Sequence, residues 1–317
     1  MKKPLHLSAI IPSEFAGKRL DQALAAIFPE HSRSRLQGWI RNGEVLLDGQ
    51  VARQRHRITG GESVQVSTTL TPRQSWDAEA IPLNIIHEDE QLLIINKPAG
   101  LIVHPGAGNP QHTLLNALLH HDPQLQLVPR AGIVHRLDKD TSGIMVVART
   151  PETHTALVSE LQQRTVKREY QAIVTGVMTA GGTVDKPIGR HPRKRVQMAV
   201  VDNGKDAVTH FRVINRFRAH THICVTLETG RTHQIRVHMA WLKFPLVGDP
   251  VYAGHARSPG GISPTLLEKL RSFPRQALHA SALTLVHPGT GKKVSFHTPL
   301  PDDMQALLVA LREDMDA

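Results

Sequence analysis

Cysteine is almost missing from this chain: a single one, Cys224, in 317 residues. That excludes an internal disulfide and any cysteine-rich zinc site, and it agrees with a reducing compartment. Aromatic residues are also scarce at 4%, with Tyr170 and Tyr252 the two tyrosines, too few for broad single-strand binding on rows of stacked rings. No apolar run approaches the ~20 residues that span a bilayer. The opening "MKKPLHLSAIIPSEFAG" carries two lysines but no apolar stretch adequate for a signal peptide. The expectation is a cytoplasmic protein without a membrane partner. Negative charge is in deficit as well, 28 Asp and Glu against 38 Lys and Arg, for a net charge of +10. Such a balance favours a polyanionic partner over an acidic small molecule. Twenty histidines are scattered without H-E-x-x-H or similar spacing, so no metal site is expected.

What is present divides the chain in two. Residues 19–28, "RLDQALAAIF", repeat apolar side chains at helical spacing, and Pro29 ends that helix. "HSRSRLQGWIRNG" reads as a second helix closed by Gly43, with Arg33, Arg35 and Arg41 on or beside it. "EVLLDGQV" reads as strand, Asp-Gly turn and strand, and "RQRHRITGGESVQV" adds a last short strand. Residues 1–75 hold 11 Lys and Arg against 6 Asp and Glu. The aperiodic, proline-bearing stretch 69–82 reads as a connection, giving a small first domain over 1–75, a linker at 76–82 and a large domain over 83–317. In the latter, strand patterns such as "LLIIN", "GIMVVART", "REYQAIVTG", "HICVTLETG" and "ALTLVHP" outnumber helices predicted near 113–121, 151–163, 232–242, 264–271 and 301–314. Connections too short for crossover helices argue for a mainly antiparallel sheet and an α+β class.

Three stretches carry candidate chemistry. In "GIVHRLDKDTSG" five ionisable residues lie between apolar flanks. They make either an ordinary turn or a functional carboxylate at a cleft mouth, which would need a cationic partner near a core edge. The D-x-D-x-T pattern of aspartate-based phosphotransferases fits poorly: His135 and Arg136 intervene before Asp138, and position 142 is Ser. "LETGRTHQIRVHMA" offers the partner. Its Arg231 and Arg236, five apart, would not share a helix face. "TVKREYQAIVTG" sets Tyr170 near a strand start, where core packing is the ordinary role.

In chain order, and following "INKPAGLIVHPG", the stretches "GIVHRLDKDTSGIMVVART", "KREYQAIVTG" and "LETGRTHQIRVHMAWLKFPLVGDPVYAG" resemble the RluA family of pseudouridine synthases over about residues 82–300. The two helices and the strand, turn and strand of residues 17–66 resemble the S4 RNA-binding domain. Among the family, the likeness is greatest to bacterial synthases acting on the helix 69 stem-loop of large-subunit ribosomal RNA. The resemblance implies an isomerase with a mixed, mainly antiparallel catalytic sheet. It makes Asp138 the catalytic carboxylate, Arg236 the ion-pair partner that holds and aims it, and Tyr170 a ring against the target uracil. Arg136 would enter the base stack that the uridine has left, and Asp140 would be a turn residue. The isomerisation changes no net oxidation state, so no cofactor is expected. A wider RNA footprint is expected at Arg33, Arg35, Arg41 and Arg231, and at Arg193, Lys194 and Arg195 in a hairpin loop of the basic stretch 186–218. The expected partner is large-subunit ribosomal RNA in the assembling particle, bound by a monomer.

Overall fold

The computed structural model describes residues 3–29, 31, 33–53, 56–70, 76–106, 109–194, 197–254 and 261–316. Two compact units divide the chain, residues 1–75 and residues 76–317.

The first unit runs β1 (Lys3–Ile10), α1 (Leu20–Ile27), α2 (Arg33–Arg41), β2 (Val45–Leu47), β3 (Gln50–Val51) and β4 (Ser63–Leu70). Its antiparallel sheet has the order β1-β4-β2-β3. The Asp-Gly turn forms as expected, with Asp48 and Gly49 at φ 49° and 78°, the left-handed pair that a two-residue hairpin of this twist requires. Leu20, Leu24, Leu36, Trp39 and Ile40 bury the facing stripes of the two helices against Val45, Val64 and Val66. Strand β1 is an element that the sequence pattern does not predict, and it pairs along its whole length with β4. Strand β4 also runs further than the short strand expected, into the start of the aperiodic stretch.

The second unit continues with β5 (Ile85–Glu88), β6 (Leu92–Lys97), α3 (Leu114–His121), β7 (Ser142–Ala148), α4 (Pro151–Gln162), β8 (Lys167–Thr175), β9 (Gly182–Asp185), β10 (Ile188–Arg190) and β11 (Met198–Val200). It ends with β12 (Val208–Arg216), β13 (His220–Leu227), α5 (Gln234–Trp241), α6 (Pro264–Ser272), β14 (Leu278–Val286), β15 (Lys293–His297) and α7 (Asp302–Asp316). Among the described residues a nine-stranded sheet has the order β5-β6-β7-β14-β8-β13-β12-β9, with β15 also on β14. Its pairings are antiparallel except β7 with β14. The class is therefore α+β.

Both faces of the sheet are covered, which explains the unbroken apolar runs. Leu93 and Ile95 of β6 join Leu114, Leu115 and Leu118 of α3 on one face. Leu92 and Ile94, one residue out of phase, join Leu157 of α4 on the other. Helix α7 packs Met304, Leu307 and Leu311 against Ile173 of β8. The parallel step brings the loop ahead of β7 against β14, and Gly143 permits it. Its φ is +119°, and a Cβ there would lie 2.2 Å from the carbonyl oxygen of Ala280.

Several histidines are enclosed. Burial pulls His104, His220, His222 and His279 down to about 4 and His135 to about 3, from an ordinary 6.5. Each binds a proton more weakly folded than unfolded. Their contribution is thus complete above pH 6.5 and is lost as the pH falls towards 4. The urea midpoint should therefore drop steeply between pH 6.5 and pH 4, and a flat profile over that interval would contradict neutral buried rings.

Candidate active site

Asp138 lies five residues before Gly143, in a turn closed by the Thr141 N–H donating to the Asp138 carbonyl at 3.1 Å. Asp140 sits within that turn. Helix α5 arrives from the far side of the sheet sequence. Gln234 and His238, four apart and so on one face, fasten it to β12. The Gln234 amide donates to the Val208 carbonyl and the Thr209 hydroxyl, both at 3.0 Å. The His238 ring bonds the Thr209 hydroxyl at 2.8 Å and the Lys186 carbonyl at 3.0 Å. Arg236, midway between them, therefore points to the opposite side of the helix, towards Asp138.

Arg236 is 4% exposed and joins two carboxylates. Its Nη1 donates to Asp138 Oδ2 at 3.0 Å, while Nε and Nη2 grip Asp249 at 2.7 and 2.9 Å. Asp249 also accepts the backbone N–H groups of Val251 and Tyr252 at 2.9 and 3.0 Å, and the Tyr252 ring lies 5.0 Å from the guanidinium. Burial works against the Arg236 charge, but Asp249 and Asp138 outweigh it and raise its pKa. A buried guanidinium held this way by one carboxylate has its remaining donor fixed in direction.

The Asp138 side chain is 16% exposed and opens on a cleft of about 830 Å³, within the range of small-molecule sites. Ile133, Leu227, Ile235, Leu278 and the ring of Tyr170 supply apolar wall. Tyr170 is the fourth residue of β8, opposite Val225 and Ala280. It belongs to the core and to the cleft at once, and burial raises its pKa. Arg136, exposed, and Arg231 also line the cleft. Arg231 Nε donates to the Asp206 carbonyl at 2.9 Å.

The structure therefore gathers Asp138, Tyr170, Arg236, Arg136 and Arg231 around one cavity and leaves the other expected RNA contacts elsewhere. Arg193 and Lys194 are exposed in the connection between the paired strands β10 and β11. Arg195 lies outside the described residues, as does the side chain of Arg35. Arg41 is exposed at the end of α2. Arg33 is engaged within its own unit, where it grips the buried Asp21 at 2.8 Å beside Arg19 and Gln37. Among the described residues no group of three or more His, Cys, Asp or Glu is placed to hold a metal ion.

Four contributors escaped the sequence reading. Asp249 and Tyr252 sit in "VGDPVYAG", where the sequence pattern assigns neither a role. A buried aspartate there had no visible partner until α5 was placed. Lys97 ends the apolar run "LLIINK" and is completely buried. Its ammonium donates to the carbonyls of Pro98, Leu101 and Lys139 at 2.7, 2.9 and 2.9 Å. Arg275, gripped by Asp303 at 2.6 and 2.8 Å, donates to the Asp140 carbonyl at 3.2 Å. Two buried cations thus hold the two residues following Asp138 from beneath. A charged residue closing a mainly apolar strand was the one legible signal.

A family model described as RNA pseudouridylate synthase matches residues 91–241, and one described as S4 domain matches residues 18–64. A Xanthomonas campestris pv. campestris protein named ribosomal large subunit pseudouridine synthase D is 57% identical over 306 residues, covering 96% of this chain and 92% of its own length. A Pseudomonas aeruginosa protein of the same name is 56% identical over 317 residues, 100% of this chain and 99% of its own length. Among solved structures, human RNA pseudouridylate synthase domain containing 4 is similar with a TM-score of 0.56 and 28% identity, over 72% of this chain and 93% of that one. The chain belongs to the RNA pseudouridylate synthase family. It is an isomerase that converts uridine to pseudouridine and carries an S4 domain ahead of its synthase domain.

Burial pulls the Lys97 pKa down to about 7, with Asp140 and Asp138 opposing. Replacing the side chain by an apolar one of similar length removes the donor to the Pro98 and Leu101 carbonyls and leaves that of Lys139 with the Gly100 N–H alone. Lys97→Met should lower unfolding free energy by about 3 kcal/mol or more, measured by urea denaturation. A stability equal to the parent chain would contradict this support of the turn.

Proposed function

We propose that the chain isomerises uridines of bacterial large-subunit ribosomal RNA, in the helix 69 stem-loop, with Asp138 as its single catalytic carboxylate. The observation that carries the reading is the fixed series Asp249, Arg236, Asp138 at the wall of a cleft that also holds Tyr170. The names of the full-length relatives, the basic balance of the chain and its S4 domain support the ribosomal substrate. The helix 69 target rests on the motif resemblance.

In the reaction the N1–C1′ bond breaks, the uracil turns, and a C5–C1′ bond forms. C5 gives up its proton and N1 gains one, so the nucleoside ends with the same atoms. Asp138 has one oxygen engaged by Arg236, which leaves Oδ1 to act. It either attacks as a nucleophile or takes a proton beside C1′ so that a glycal forms, and one aimed carboxylate serves both routes. Tyr170 offers the freed uracil a flat face within an apolar wall while it rotates. Arg136, exposed at the cleft, fills the gap in the base stack. Flipping the target costs a few kcal/mol, which favours a loop over a continuous duplex. The first unit, through Arg41, together with Arg193 and Lys194 of the second, adds phosphate contacts that position the RNA. Such an enzyme works as a monomer on the assembling large subunit in the cytoplasm.

The test is incubation of unmodified large-subunit RNA with purified protein in EDTA, followed by carbodiimide mapping of pseudouridine. The parent chain should form product in chelator. Asp138→Asn should lose about 10³-fold or more in rate, with RNA affinity within about threefold, because phosphate contacts carry affinity. Near-normal turnover by the asparagine variant would overturn the assignment, and inhibition by chelator would favour a metal-dependent phosphotransferase.

A further inference from the structure

The Asp138 carboxylate has one oxygen committed to Arg236, and its other oxygen, Oδ1, faces His233 Nε2 across 3.9 Å. That is too long for a direct hydrogen bond. His233 stands one residue ahead of α5 with left-handed backbone, φ 58° and ψ 22°, a conformation that strains any residue with a Cβ. Its ring lines the same cleft as Tyr170 and Asp138.

Tyr252 Oη lies 2.7 Å from His233 Nδ1 and already accepts the Met198 N–H at 2.9 Å. With the phenol hydrogen directed to Nδ1, which then acts as acceptor, the imidazole hydrogen is left on Nε2. Burial lowers the His233 pKa against the opposing pull of Asp138, which favours the neutral ring. The cleft wall thus presents a donor, Nε2–H, next to an acceptor, Asp138 Oδ1, with a gap between them.

We propose that this pair receives the 2′-hydroxyl of the target nucleotide, which makes His233 a specificity-determining residue that separates RNA from DNA at the flipped uridine. The inference rests on the isomerase reading above. A nucleotide within a chain has its 3′ and 5′ oxygens in phosphodiesters, so the 2′-hydroxyl is its one free hydroxyl, and it both donates and accepts. It is attached to C2′, beside C1′, the carbon from which Asp138 takes the proton on the glycal route. An oxygen about 2.8 Å from each group would see the two across the 3.9 Å gap at roughly a right angle, which one lone pair and one O–H can meet. Sugar-cleaving enzymes gain transition-state stabilisation from contacts to the equivalent hydroxyl.

The experiment compares a uridine stem-loop with the same RNA carrying one 2′-deoxyuridine at the target, under single-turnover conditions, for the parent chain and His233→Phe. The parent should be slower on the deoxy target by about 10-fold or more. His233→Phe should lose a similar factor on the ribose target and show no more than about twofold discrimination between the two. Nitrogen NMR of the unsubstituted protein should show a protonated Nε2 and an unprotonated Nδ1 on His233, a reading that needs no variant to fold. Equal rates of the parent on both RNAs, undiminished discrimination by the variant, or the opposite tautomer would overturn the inference. If the parent gave no product on the ribose target, the isomerase reading itself would fail, a distinct outcome.

Discussion

A guanidinium placed between two carboxylates governs the rest of this molecule. Arg236 is buried, and a buried cation without partners is strongly unfavourable. Breaking such a pair from one side commonly costs about 3–5 kcal/mol. Asp249 satisfies it with two parallel hydrogen bonds and is itself tied by two backbone N–H groups. The remaining Nη1 therefore has one direction available, and Asp138 stands there. Lysine could not reproduce this, since a point charge on a flexible stem grips no carboxylate in a fork.

The fold is arranged so that both ends of that contact are rigid. On the Asp138 side the turn is held by carbonyl contacts from Lys97 and Arg275, and Gly143 lets β7 meet β14 closely enough to start the parallel step. His135, in the same motif, accepts the Val146 N–H through Nε2 at 3.2 Å, so a residue with the look of a catalytic base serves β7 instead. On the Arg236 side, α5 is locked to β12 by Gln234 and His238. Sites built on such elements hold their geometry better than sites on free loops.

The sequence carried much of this and lacked some of it, for physical reasons. Apolar runs doubly covered by helices were plain in "LLIIN" and "GIMVVART", and the α+β class followed from the short connections. Helix α5 begins at Gln234, two residues later than the pattern near 232–242 suggested, because His233 takes a left-handed backbone that no periodicity reveals. Strand β14 begins at Leu278, ahead of the stretch "ALTLVHP", since His279 and Ser281 are buried polar residues that mask its apolar pattern. Asp138, Arg236 and Tyr170 were nameable from their motifs, and the 3.0 Å contact joins residues 98 apart. Asp249 and Lys97 were not nameable, because their significance is in what they touch across the sheet. Arg33, expected at the RNA surface from the S4-like order of elements, also binds α1 to α2 through its hydrogen bonds to Asp21, a role no sequence pattern reveals.

The most direct test concerns Asp249, which does not line the cleft and grips Arg236. The measurement is the single-turnover rate of pseudouridine formation by Asp249→Asn on unmodified large-subunit RNA, with RNA affinity and folding checked on the same sample. Loss of the fork should misdirect Arg236 and slow the reaction by about 100-fold, while affinity stays unchanged. A folded variant with a rate within about twofold of the parent would contradict the claim that this anchored guanidinium aims Asp138.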